Sequence, residues 1–158
     1  MRLLTYESLT QVDRGLLTDA GIAMERAYNP YSGFYVGAAI LSKEGLVVTG
    51  SNVENAAYGS TLCAERAAIV RANAQGIRMF QKIAIVARGE RFDTKEVTAP
   101  CGSCRQMLYE SSQISDLDLE VLMATTRKDK IVIATIGELL PLAFGPKDMG
   151  IDLTRFRE

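Results

Sequence analysis

Thr61-Leu62-Cys63-Ala64-Glu65-Arg66 and Ala99-Pro100-Cys101-Gly102-Ser103-Cys104-Arg105-Gln106 hold all three cysteines of the chain, and a fold for this sequence has to bring the two stretches together. Thiolates bind a soft divalent metal such as Zn²⁺ well, and the C-x-x-C spacing lets a single turn supply two of them. A closed structural zinc site asks for four nitrogen or sulfur ligands. This chain has no histidine and no fourth cysteine, so within one chain the fourth position falls to a carboxylate or to water. An open position marks a catalytic zinc, because a water there has its pKa lowered toward neutrality and needs a neighbour to manage its protons. Glu65, two residues after Cys63, is placed to do that.

The remainder of the composition fits this reading. A chain of 158 residues with 47% apolar and 23% charged residues suits one globular domain spanning 1–158. No apolar run approaches a membrane span, and the first residues (Met1-Arg2-Leu3-Leu4-Thr5) lack the apolar core of a signal peptide, so a cytoplasmic protein is expected. An odd number of cysteines there argues for reduced, metal-binding thiols over a disulfide framework. A net charge of -1 provides no concentrated basic surface for nucleic acid. A small-molecule substrate is expected instead, with no membrane and no nucleic-acid partner.

Along the chain, Leu9, Val12, Leu16, Ala20, Ala23, Met24 and Ala27 recur at helical steps, predicting a helix that Ser8 caps and Asn29-Pro30 stops. Residues 34–41 and 46–49 read as an antiparallel hairpin about Ser42-Lys43-Glu44-Gly45. A polar loop then leads to a helix over 62–75, capped by Ser60 or Thr61 and ended by Gly76. Residues 83–87 read as a central strand, 102–110 as a second helix introduced by Pro100, and 119–123 as the strand parallel to 83–87. The link from there to 131–135 is too short for a crossover, so that pair should be antiparallel. A short helix is expected over 137–144, and residues 147–158 carry no assignment. The sum is an α/β fold in three layers, α/β/α, with a mixed five-stranded sheet.

This arrangement sets all three cysteines near helix N-termini, where the partial positive charge favours thiolates. Three thiolates and Zn²⁺ sum to -1, which blunts the metal as a Lewis acid. Arg66 or Arg105 could draw charge off by hydrogen bonding to ligand sulfur, although for Arg105 a solvated surface role is the expectation.

Cys-Ala-Glu-Arg at 63–66 together with Pro-Cys-Gly-Ser-Cys-Arg-Gln at 100–106 resembles the cytidine deaminase family, in its all-cysteine, homotetrameric class. The pairing of a Cys-x-Glu with a downstream P-C-x-x-C is a known signature of the zinc nucleobase deaminases. The resemblance extends through Tyr31-Ser32-Gly33-Phe34-Tyr35-Val36-Gly37-Ala38, the loop Asn52-Val53-Glu54-Asn55-Ala56-Ala57-Tyr58-Gly59, and Glu138-Leu139-Leu140-Pro141 to Phe144. It implies that Cys63, Cys101 and Cys104 hold Zn²⁺, and that Glu65 takes the water's proton and passes protons to N3 and the departing amine as C4 is attacked. It further implies that Asn52 and Glu54 hold the ribose 3′-hydroxyl, that Phe34 faces the pyrimidine, and that the Ala64 N–H and Ala99 carbonyl orient the ring. Ala56, Tyr58 and Phe144 resemble residues that reach a neighbouring subunit's pocket, so a homotetramer is expected. Gly33, Tyr35 and Ser60 depart from what is common in the family and bear on substrate preference.

The implied activity is zinc-dependent hydrolytic deamination of cytidine and deoxycytidine in pyrimidine salvage. Deamination of another aminopyrimidine nucleoside such as blasticidin S, and a non-catalytic zinc module, are the alternatives. A dithiol redox motif at 101–104 would not need the third cysteine with its Glu. Taken singly, Glu65 would be an ordinary helix-dipole carboxylate, Asn52 and Glu54 turn residues, and Phe34 and Phe144 core residues.

Overall fold

The computed structural model describes residues 1–157. Its chain order begins with β1 (Arg2–Leu4), α1 (Gln11–Met24), β2 (Phe34–Ser42) and β3 (Val47–Ser51), then α2 (Ala64–Ala74) and β4 (Phe80–Gly89). It continues with α3 (Gly102–Ser115), β5 (Glu120–Thr125), β6 (Ile131–Thr135) and α4 (Ile136–Leu139). The sheet has six strands in the order β1-β6-β5-β4-β2-β3. The expected five become six because Arg2–Leu4 pairs antiparallel with β6, through Leu3↔Val132. Three residues are too few for alternation to announce a strand. As expected, β4 and β5 run parallel about α3, while β2–β3 and β5–β6 are antiparallel.

Alternation along the strands splits the core in two. Ala38, Ile40, Ile83, Ile85, Val121 and Met123 face α2 and α3, packing with Ala64, Ala68 and Leu108. Ala39, Leu41, Ala84, Val86, Leu122 and Ala124 face α1, packing with Leu16, Leu17 and Ala20. Period-two side-chain direction thus gives one helix a face of the sheet to itself and the other helices the second face. Two glycines let helices lie against the hairpin. A Cβ on Gly37 would sit 1.9 Å from the Ala20 carbonyl oxygen, and one on Gly50 would sit 2.4 Å from Ala68 N and 2.5 Å from Ala64 O. No side chain fits where backbone approaches backbone this closely.

Local signals correct several boundaries. Thr10, not Ser8, caps α1 through a reciprocal capping box with Asp13. Cys63 itself is the N-cap of α2, while Ser60 lies in a 3-10 turn (Tyr58–Ser60) just before it. The helix expected over 137–144 stops at Leu139, before Pro141, and Leu142 adopts a left-handed φ of 56°. Beyond it the tail forms 3-10 turns at Pro146–Met149 and Thr154–Phe156, and Arg157 Nε donates to the Ile114 carbonyl at the end of α3. No helix among the described residues is long and apolar enough to cross a membrane.

Candidate active site

The three cysteines meet at the amino-terminal ends of two helices. Cys63 is the N-cap of α2, Cys101 the N-cap of α3, and Cys104 lies one turn into α3. Their sulfurs all fall within 4.8 Å of one another, with Cys63 Sγ 3.8 Å and Cys104 Sγ 3.4 Å from Cys101 Sγ. Cys104 is fully buried, Cys63 partly buried and Cys101 exposed, so the cluster opens on one side. Neither cysteine makes a side-chain cap hydrogen bond to its own helix.

Protonation of this cluster is strained. A hydrogen bond from Cys104, with help from Arg66 and Cys101 and against the effect of burial, pulls the Cys63 thiol down to about 5. The hydrogen bond to Cys63 and burial push the Cys104 thiol up, so that it keeps its proton. Only one of these two thiols ionises comfortably while nothing but protons balances the charge. A divalent cation would take the place of the shared protons, and the donor set therefore fits Zn²⁺ in its three-sulfur form.

Glu65 lies on the first turn of α2 and is only 4% exposed. Burial, and less strongly the charge on Cys63, hold its carboxyl above the ordinary carboxylate range. Arg66 turns back over the cap, with Nη2 2.9 Å from the Thr61 carbonyl and 3.8 Å from Cys63 Sγ. Arg105 touches no sulfur and is more than a solvated charge: half-buried, it donates to the carbonyls of Pro100 and Leu139, each at 2.8 Å.

The polar loop is stitched directly to this centre. Val53 and Leu62 exchange both backbone hydrogen bonds at 2.9 Å, which sets Asn52 and Glu54 beside the approach to Cys63. Asn52 is buried and clamps β2, accepting from Val36 N and donating to the Phe34 carbonyl, both at 2.9 Å. Glu54 accepts from Tyr31 N at 2.9 Å, Ser32 N at 3.2 Å and the Ser32 hydroxyl. Those bonds, the hydroxyl's first, hold its carboxyl below the usual range against the opposing effect of burial. Tyr31, Ser32, Glu54, Tyr58 and Thr61 line a cavity of about 380 Å³. Tyr31 and Tyr58 meet edge to face at 5.8 Å across it.

The structure thus gathers Cys63, Ala64, Glu65, Arg66, Cys101 and Cys104 in one centre and Phe34, Asn52, Glu54 and Tyr58 around the adjoining loop. Ala56 is exposed, and Phe144 is 62% exposed on the C-terminal segment. Sequence reasoning did not single out Ser32, whose signal was its place in a turn between Pro30 and Phe34. A more apolar cavity of about 300 Å³ lies between α2 and α3, lined by Ile69, Ile77, Phe80 and Met107 among others, and contains no thiol.

The profile of the cytidine and deoxycytidylate deaminase zinc-binding region matches residues 10–118, well over half of the chain. The chain belongs to the cytidine and deoxycytidylate deaminase family. Within that family it is 45% identical to the cytidine deaminase of Halalkalibacterium halodurans over 139 residues, 87% of this chain and 98% of that protein. It is 41% identical to the cytidine deaminase of Sporosarcina psychrophila, over 85% of this chain and 92% of that one. The crystal structure of cytidine deaminase from Burkholderia pseudomallei superposes with a TM-score of 0.74 at 41% identity, covering 86% of this chain and 100% of that one. The deaminase motifs at 63–66 and 100–104 fall inside the matched region.

Proposed function

We propose that this chain is a zinc-dependent hydrolytic deaminase that converts cytidine and deoxycytidine to uridine and deoxyuridine with release of ammonia. One observation carries the reading: three cysteine sulfurs from two helix N-termini converge beside a buried glutamate. The standing of the relatives as cytidine deaminases supports the substrate.

Cys63, Cys101 and Cys104 would hold the zinc. When bound, the metal supplies Lewis acidity that makes a water nucleophilic near neutral pH. Glu65 does the proton work. Its carboxylate accepts the first proton of the attacking water and passes it to ring N3, then takes the proton of the hydroxyl added at C4 and passes it to the leaving amino group, so that the C4–N bond breaks as the C4 carbonyl forms and ammonia departs. Burial suits it to that exchange, since a carboxyl held above the ordinary carboxylate range is a readier base for the water's proton. Arg66 draws charge from Cys63, which keeps an otherwise anionic three-thiolate centre acidic.

Asn52 and Glu54 hold the ribose 3′-hydroxyl, Phe34 lies against the pyrimidine, and the Ala64 N–H and Ala99 carbonyl orient the ring. The support for Phe34 is its tether, since the amide of Asn52 fixes its backbone. Ala56, Tyr58 and Phe144 complete a neighbouring subunit's pocket in a homotetramer. What supports this is that Tyr58, at 75%, and Phe144, at 62%, are far more exposed than aromatic residues need be in a finished structure. Reduced, metal-binding thiols suit the cytoplasm.

The test is an ultraviolet assay of zinc-replete protein against cytidine, deoxycytidine, blasticidin S and adenosine, with Glu65→Gln alongside. The parent should consume cytidine and deoxycytidine, and the variant should lose about 10²- to 10⁴-fold in kcat while keeping its zinc. Full turnover by Glu65→Gln would end the mechanism, and a preference for blasticidin S would move the substrate.

A further inference from the structure

The first turns of α3 carry two residues that the chemistry above does not use. Arg105 is the fourth residue of the helix, where a cation opposes the helix dipole, so helix electrostatics give no reason for it. Its guanidinium, half-buried, spans two carbonyls: Nε reaches Pro100 O and Nη1 reaches Leu139 O, each at 2.8 Å. Pro100 directly precedes Cys101 and follows Ala99. The next residue, Gln106, donates from Nε2 to the Phe144 carbonyl at 2.9 Å. Consecutive side chains of α3 therefore pin both ends of segment 139–144.

That segment has little of its own to hold it. α4 ends at Leu139, Leu140 is in neither helical nor strand conformation, Pro141 lacks a donor, and Leu142 stands fully exposed with a left-handed φ of 56°. A non-glycine residue in that region persists only where its surroundings fix it. Between the two pins the backbone is forced into a path that ends by presenting Phe144 outward.

We propose that Arg105 and Gln106 are positioning residues that lock segment 139–144 to the loop carrying Cys101, and so set where Phe144 stands. The inference rests on the reading that Phe144 contributes to a substrate pocket. It does not depend on which subunit's pocket that is. Arg105 ties the segment to the peptide beside a metal ligand, and Gln106 fixes the aromatic residue itself. Two charge-assisted bonds from one planar guanidinium also give the link a direction that lysine cannot copy.

The experiment uses zinc-replete, full-length protein with cytidine as substrate and compares Gln106→Ala, Gln106→Glu, Phe144→Ala and the Gln106→Ala/Phe144→Ala double variant. Losing one neutral hydrogen bond at the segment's end should raise KM about threefold to tenfold, with kcat and bound zinc at parental levels. Gln106→Glu keeps the shape but loses the N–H donor, so it should match Gln106→Ala. If Gln106 acts through Phe144, the double variant has the KM of Phe144→Ala alone. Hydrogen exchange at residues 140–144 should quicken in both Gln106 variants.

Effects that multiply in the double variant, or a parental KM in the Gln106 variants beside a raised KM in Phe144→Ala, would overturn the tether. A parental KM in Phe144→Ala would overturn the role given to Phe144 and the tether with it, while turnover of cytidine would leave the deaminase reading standing. Arg105→Lys reaches one carbonyl at most and should also raise KM with zinc retained. A lowered zinc content with parental KM in the fraction that stays active would show Arg105 serving the Cys101 loop alone and remove it from the proposal.

Discussion

Two clusters of ionisable groups sit on this fold, and they are finished to different degrees. On the α1 face, Lys82 Nζ lies 2.5 Å from Asp13 and 2.9 Å from Glu120, and Thr10 donates to Asp13 at 2.7 Å. Each charge there has a partner of opposite sign. At the tips of α2 and α3, three thiols, a buried carboxyl and one arginine share too little positive charge to let all of them ionise. The first cluster is complete as it folds, whereas the second is complete only with a cation. A satisfied network therefore reads as architecture and an unsatisfied one as function.

The contrast is broken most severely at Cys104. Cys104→Ala removes the fully buried sulfur and should abolish zinc binding and turnover together, checked by metal analysis and the ultraviolet assay. Variant protein that retains stoichiometric zinc would show that the cluster does not need its third thiol. Arg66→Gln is the milder test on the same side. Turnover should fall roughly 10- to 100-fold with zinc retained, and unchanged kinetics would take Arg66 out of charge compensation.

On the finished side the readout shifts from activity to stability. Lys82→Met leaves Asp13 without its counter-charge and Glu120 with only Arg2, 3.8 Å away, and should cost about 2 kcal/mol in urea unfolding, between the values for exposed and fully buried pairs, with parental kcat/KM. The pair also predicts a pH profile. Burial opposes the charge on Asp13, but hydrogen bonds from Lys82 and Thr10 outweigh it and hold the carboxyl below its ordinary value. Its contribution is thus complete above the unfolded pKa of about 3.9 and fades as pH falls through the folded value. Lys82 is likewise raised by Asp13 and Glu120 against burial, so its contribution is complete below about 10.4 and fades as pH rises through the folded value. The contribution of this pair should be level between these limits, and Lys82→Met should shrink the acid limb. Smallest of all, Thr10→Ala removes the α1 cap at about 1 kcal/mol and should leave the kinetics untouched.

How much of this could be read in the sequence depended on how local the cause was. Residues 34–41, 83–87 and 131–135 announced themselves as strands because consecutive apolar residues have to find a sheet. The cysteine centre was legible too, since the lack of histidine left thiols few alternatives. The caps misled where two signals competed. Thr10-Gln11-Val12-Asp13 carries a capping box with Asp in place of Glu, and Ser8 two residues earlier drew the assignment. Nothing in the usual cap preferences names cysteine, yet Cys63 and Cys101 both start helices. The purposes of Arg105 and Gln106 were hidden for another reason. The acceptors that tie them to the C-terminal segment are backbone carbonyls more than thirty residues away, and no local pattern marks a carbonyl as needing a donor.

Gly50 takes no part in binding or proton transfer, yet it fixes how deep the reacting centre is seated. With hydrogen alone at that Cα, α2 lies flush on β3 and carries Cys63 and Glu65 down with it. A single methyl there would lift the helix and separate its sulfur from the pair on α3. The enzyme's tolerance of sequence drift is therefore narrow at a position outside the chemistry.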